Sequence, residues 1–164
     1  MRRARSRDAL RDVFAMSYRR LVVQLYGVVG DAAEAEDLVQ EAFVRAAAAG
    51  QRFLRVDNPE AWLRTTAINL HRNRWRKLRN FTAVRSQLAT PVDLPGLEDH
   101  LAVMEALRKL PAIHREVLAL HYLADLDVTG IATTLGVAEG TVKSRLARAR
   151  EAMAALLTEE GDDV

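Results

Sequence analysis

The stretch Asp127 to Met153, DVTGIATTLGVAEGTVKSRLARAREAM, constrains the fold more than any other part of the chain. Ile131, Ala132 and Leu135 recur at helical spacing and stop at Gly136. A glycine just past an apolar stripe predicts a left-handed residue that closes one helix and turns the chain into the next. Val137 is expected to tuck between the two helices. A second helix is predicted from near Glu139 through the arginines. At about 3.6 residues per turn, Val142, Leu146, Ala149 and Met153 share one face. Thr141, Lys143, Ser144, Ala147 and Arg148 share the other. Such a polar face suits a DNA major groove: hydroxyls and cations meet phosphates and base edges, and small side chains permit close approach. An ordinary helical hairpin with a glycine turn and a basic outer face gives the same pattern. Three features favour DNA: the short turn, the position of Glu139 and Glu151 at the helix ends, and a second basic helix elsewhere in the chain.

That second helix emerges from the charge pattern. The formal net charge of the 164 residues is only +2, but the charges are segregated. Residues 1–20 are basic and 31–60 acidic on balance. Residues 64–85 hold seven Arg or Lys and no acid. Residues 93–127 are acidic again, the last long helix is basic, and the end, EEGDD, is acidic. Blocks of this kind suggest separate surfaces for nucleic acid and for protein. There is no cysteine, which excludes disulfides and thiolate metal sites and fits a cytoplasmic protein. No apolar run approaches membrane-spanning length, and the start, MRRARSRDALRD, lacks a signal peptide's apolar core, so no membrane insertion is expected.

Read in order, Leu10, Val13, Phe14, Ser17, Tyr18, Leu21, Val22 and Leu25 predict a first amphipathic helix ending near Gly27 or Gly30. Asp31 looks like an N-cap, with Glu34 as the return partner of a capping box. In the helix it opens, Leu38, Val39, Ala42, Phe43 and Ala46 form the core stripe. Gly50 stops that helix, and GQRFLRVDN follows as a loop with Phe53 and Leu54 as anchors. Asn58-Pro59 starts the third helix. Its buried side is expected at Leu63, Ala67, Leu70 and Leu78, and its opposite side at Asn69, Arg72, Arg76 and Arg79. Trp62 reads as core. Trp75 is open to packing, base stacking or partner contact. Residues 81–97 lose periodicity and carry two prolines and a glycine, which predicts an interdomain linker. No useful β-alternation occurs. The fold class is all-α, with two small helical domains joined by a flexible linker.

Three motifs in this order, AEDLVQEAFVRA, PEAWLRTTAINL with its basic extension, and LRKLPAIHREVLALHYLADLDVTGIATTLGVAEGTVKSRLARARE, resemble bacterial sigma factors of the extracytoplasmic-function (ECF) group. The resemblance implies region 2 at 1–80, a linker at 81–97, region 4 at 98–157 and an acidic tail at 158–164. It implies that Asp37, Leu38, Gln40 and Glu41, with Val39 between them, dock on the clamp coiled coil of the largest subunit of core RNA polymerase. It implies that the loop from Ala49 to Asn58, Phe53 included, captures a flipped base of the −10 element, and that Asn69 helps read that element. Arg72, Arg76 and Arg79 are then expected at phosphates or the melted strand. Lys143, Ser144, Ala147 and Arg148 match positions facing the −35 element, with Thr141 set for a phosphate. The linker matches the segment that threads toward the polymerase active site. The expected partners are core polymerase, promoter DNA and an anti-sigma protein. The chain departs from the family at Thr129-Gly130, where acids are usual, at Ala138, where a serine cap is common, and at Thr66. A mid-helix glycine and a lost cap each cost about 1 kcal/mol, so softer region 4 helices are expected.

Two other classes are weighed. A stand-alone repressor or activator needs a dimerisation helix or a ligand pocket, whereas the N-terminal half offers an acidic helix and an acid-free basic one. An enzyme needs a catalytic set. His71, His100, His114 and His121 have no neighbours at metal-ligand spacing, and there is no glycine-rich phosphate loop. His121 is expected to pack or cap. No catalytic residue, metal, cofactor or small-molecule substrate is expected.

Overall fold

A computed structural model describes residues 1–79 and 100–162. Among them are eight helices and no strand: α1 (Arg2–Val29), α2 (Ala32–Ala49), α3 (Gln51–Leu54), α4 (Pro59–Arg79), α5 (Leu101–Arg108), α6 (Ala112–Tyr122), α7 (Val128–Leu135) and α8 (Glu139–Asp162). The all-α expectation holds. The linker expected at 81–97 lies outside the described residues. The chain divides into two units. The first gathers Met1–Leu25 with the described residues from Asp31 to Arg79, and the second gathers Tyr26–Gly30 with those from His100 onward.

In the first unit the capping chemistry read from the sequence sets the helix ends. Asp31 is extended and its side chain accepts from Glu34 N at 2.9 Å, opening α2. Gly50, at φ +58, ends α2, and its N–H donates to Ala46 O. Asn58 Oδ1 accepts from Ala61 N at 3.0 Å ahead of Pro59, opening α4. α2 and α4 pack on each other. Leu21, Val22 and Leu25 of α1, Leu38, Val39, Ala42 and Ala46 of α2, and Leu63, Ala67, Ile68 and Leu70 of α4 are buried. Burial of such side chains contributes roughly 1.5–3 kcal/mol each for the larger ones.

Two expectations about this core need correction. Leu78 is 39% exposed. Trp75, Arg76, Lys77 and Leu78 are all exposed, and four successive residues span every side of a helical turn. The end of α4 therefore has no packing partner among the described residues, and periodicity alone could not reveal that. Conversely, Arg64, from the acid-free basic block, lies inside at 5% exposure. Its Nε donates to Gln24 Oε1 at 2.8 Å, and Glu60 stands beside it. Burial lowers the Arg64 pKa below its usual value; Glu60 opposes that shift and Arg20 adds to it.

The second unit is built on α8. α6 and α7 pack against it, as does α5. Val117, Leu118, Ala119 and Leu120 of α6, Ile131, Ala132 and Leu135 of α7, and Val142, Leu146 and Ala149 of α8 are buried. Gly136 sits at φ +67, ψ +36, the left-handed cap expected of it, and its N–H donates to Ala132 O. His121 Nδ1 donates to Leu126 O at 2.9 Å, tying the turn between α6 and α7. Asp127 opens α7 by accepting from Gly130 N at 2.7 Å. This cap gives Gly130 a role that its helix propensity hides: a Cβ there would stand 3.1 Å from Asp127 Oδ1, the capping atom itself. Thr129 Oγ1 donates to Glu139 Oε1 at 2.9 Å, linking the starts of α7 and α8. The residues expected as a separate acidic tail continue α8 as far as Asp162. Asp127→Ala is expected to lower the stability of this unit by about 1 kcal/mol, while Asp127→Ser keeps most of it. Urea unfolding followed by helical circular dichroism checks both.

Candidate functional site

α8 has two chemically distinct sides. Its inner side carries Val142, Leu146 and Ala149, all buried, and Met153 is half-buried. Lys143, Ser144, Ala147 and Arg148 are exposed on the outer side, and Thr141 is half-buried at its edge. Two other cations of α8 are committed within the unit. Arg145 lies 3.9 Å from Glu116. Arg150 Nε donates to the Tyr122 hydroxyl at 3.1 Å, with the guanidinium 6.0 Å from the ring centre. Lys143 and Arg148 make no ion pair among the described residues. Gly140 is a feature the sequence reading missed. It is exposed, nothing lies within 4 Å of a Cβ built there, and it falls one turn before Ser144. Gly140, Ser144 and Ala147 thus form a strip of small residues with Lys143 and Arg148 alongside. The strip lets a helix backbone approach another surface closely, and the cations supply attraction to an anionic one.

α4 also has two sides. Toward α2, His71 Nδ1 lies 3.1 Å from Glu34 Oε1, and Arg74 pairs with Asp37 at 2.7 Å. Away from α2, Asn69, Asn73 and Arg76 are exposed at i, i+4 and i+7, and Arg72 is half-buried beside them. Asn73 was not singled out from the sequence; its spacing from Asn69 was the available signal. Arg79 closes α4, but its side chain lies outside the described ones. Phe53 is corrected. It is 1% exposed and meets Trp62 edge-on at 5.0 Å, so it packs the short α3 onto α4 and offers no surface. This agrees with its reading as an anchor of the loop and not with the contact to a flipped base.

On α2, Asp37 and Gln40 are exposed and Glu41 is half-buried beside Arg45. Leu38 is corrected as a contact residue: at 0% exposure it belongs entirely to the core. The apolar element of this face is instead Val44, 61% exposed one turn beyond Gln40 and Glu41. Gln40 Nε2 donates to the Tyr18 hydroxyl at 3.2 Å, and Phe14, Tyr18 and Phe43 cluster with ring centres 4.6–6.3 Å apart. An apolar patch ringed by polar and acidic groups has the composition of a protein-binding surface. Among the described residues no group of three His, Cys, Asp or Glu is placed to hold a metal.

Comparison with known proteins separates the readings. The family described as Sigma-70 region 2 matches residues 13–81, and Sigma-70 region 4 matches residues 100–153. The ECF RNA polymerase sigma factor EcfG of Rhodopseudomonas palustris is 38% identical over 159 residues, covering 94% of this chain and 88% of that protein. The chain belongs to the ECF sigma factors. SigL of Mycobacterium tuberculosis, another ECF sigma factor, is 37% identical over 161 residues, covering 93% of this chain and 89% of SigL. A solved structure of the sigma factor RpoE of Bartonella quintana, in complex with the anti-sigma factor NepR, superimposes with a TM-score of 0.72 at 27% identity, covering 90% of this chain and 96% of that one.

As a sigma factor, the protein binds core RNA polymerase and directs promoter-specific transcription initiation. The region 2 match takes in α2, α3, α4 and most of α1, and the region 4 match runs from α5 into α8. The first residues of α1, Arg2 to Asp12, precede the region 2 match. Among the described residues of this sigma factor, no helix is long and apolar enough to cross a membrane.

Proposed function

We propose that residues 1–80 act as region 2 and 98–157 as region 4, joined by 81–97 and followed by acidic residues 158–164. In this division α8 reads the −35 element. Lys143, Ser144, Ala147 and Arg148 face the groove, Thr141 meets a phosphate, and Gly140 lets the backbone come close. The opposition of this outer face to the buried Val142–Leu146–Ala149 side carries the reading. Asn69, assisted by Asn73, reads the −10 element; Arg72, Arg76 and Arg79 hold its phosphates. The Ala49–Asn58 loop receives a flipped base, with Phe53 supporting the loop from inside. Asp37, Gln40, Glu41 and Val44 dock on the clamp coiled coil, with Leu38 holding that face in shape. The protein is an initiation factor and not a catalyst, since the polymerase supplies the chemistry. It works in the cytoplasm, where polymerase and promoter are. RpoE of Bartonella quintana was solved with an anti-sigma factor. A corresponding partner here would cover the α2 face or the basic faces.

The base-reading assignment is tested by Arg148→Ala in holoenzyme, assayed by run-off transcription on templates with single changes in the −35 element. The variant is expected to lose about 1–3 kcal/mol of discrimination at one base pair. A uniform loss across all templates would make Arg148 a phosphate contact.

A further inference from the structure

The first turn of α1 breaks a rule of helix electrostatics. It holds Arg2, Arg3 and Arg5 and no acid. The unpaired N–H groups of a helix N-terminus favour negative charge, so cations there are unfavourable. A cost of this kind is often retained where a site needs the charge. The arginines also lie beside a concave surface. Arg2 and Arg5 line a cleft of about 380 Å³ with Gln51, Leu54 and Arg55. A second cleft, of about 260 Å³, shares Ser6 and Leu54 with the first and has an apolar wall whose accessible part is Leu10, Ala47 and Leu54. Arg2, Arg5 and Arg55 are exposed and make no ion pair among the described residues. The site therefore combines three uncommitted guanidinium groups with an adjoining apolar wall. Phosphates next to unstacked bases have the matching chemistry.

We propose that Arg2 and Arg5, with Arg55 opposite them, clamp phosphates of the single-stranded nontemplate DNA next to the −10 element. The assignment extends the strand path to the start of α1, which precedes the region 2 match. It rests on the reading of the Ala49–Asn58 loop as the −10 loop, because Gln51, Leu54 and Arg55 belong to that loop. Duplex DNA is a poor fit for the adjoining cleft, whose apolar wall has a base face to cover only when bases are unpaired.

The test compares holoenzyme carrying Arg2→Gln with Arg5→Gln against the unaltered protein and an Asn69→Ala control. The probe is a bubble template, with its −10 nontemplate strand unpaired, made from a promoter at which the holoenzyme starts transcription. Binding is measured over a salt series, on the bubble and on the closed duplex. Loss of two phosphate contacts on single-stranded DNA is expected to reduce the log–log salt slope by about 1.4, and bubble affinity by roughly tenfold or more at low salt. Core polymerase affinity and closed-duplex binding are expected to stay unchanged. The thermal midpoint is expected to hold or rise, because the substitutions remove charge that α1 disfavours. An unchanged bubble affinity and slope, with Asn69→Ala weakened, would overturn the clamp and leave the −10 reading standing. If neither variant weakens bubble binding, the −10 reading fails as well. Equal weakening on bubble and closed duplex would make the arginines a general attraction to DNA, which also overturns the clamp.

Discussion

Glu60→Ala is expected to destabilise region 2 by about 3 kcal/mol, the cost typical of stranding a buried charge. The Arg64 guanidinium is buried and stays protonated at neutral pH. Glu60 carries the balancing charge, 3.8 Å from Arg64 through Oε1. The same carboxylate accepts from Arg20 at 2.7 Å and from Gln24 at 3.3 Å, so one side chain ties α1 to α4. Without it, Arg64 keeps the bond to Gln24 and loses its counter-charge, with Arg20 still nearby. Arg64→Met placed on top of Glu60→Ala is expected to recover much of the loss, since removing both charges leaves neither unpaired. Both tryptophans, Trp62 and Trp75, lie in the first unit, so urea unfolding followed by their emission reports on region 2 specifically. A change below about 1 kcal/mol would mean that water reaches Arg64 and solvates it.

Asp37→Arg combined with Glu41→Arg is expected to weaken binding to core polymerase about 100-fold, equivalent to about 3 kcal/mol. Asp37 is 65% exposed on its side chain, so each charge alone is a modest contributor. Reversal does more than removal, because it sets like charges against a basic partner. It also places a cation beside Arg74, which now pairs with Asp37 at 2.7 Å. Tryptophan emission and the urea midpoint therefore accompany the binding titration. Unchanged affinity in a folded variant would remove α2 from the docking surface. Val44→Asp addresses the same face without touching that ion pair.

The helix-turn-helix was legible because several signals agree there: an apolar stripe, a glycine at its end, and a second stripe with small and charged residues opposite. Gly136 and the burial of Val142, Leu146 and Ala149 follow directly from that agreement. Asp31 was legible as a cap and Asn58-Pro59 as a helix start, whereas the cap at Asp127 emerged only from the structure. Arg64 was not legible. It falls on the α4 stripe with Ala67, Ile68 and His71, but its charge argued for solvent until the partners on α1 were known. Leu38 lay within a motif of partner-facing residues, yet its own spacing from Ala35 and Ala42 puts it inside. Leu78 had the right period and no neighbour to pack on, and the neighbour is the part a period cannot supply. Val44 and Gly140 were overlooked because an exposed valine and a helical glycine are unremarkable until the surface around them is seen.

The account is tested most directly by transcription in vitro. Purified protein is added to sigma-free bacterial core polymerase on a library of promoter fragments, and the 5′ ends of the transcripts are sequenced. The expected result is a set of protein-dependent starts that share −35 and −10 sequences. No starts and no binding to core polymerase, with DNA binding retained, would contradict the account and point to a regulator that acts without polymerase.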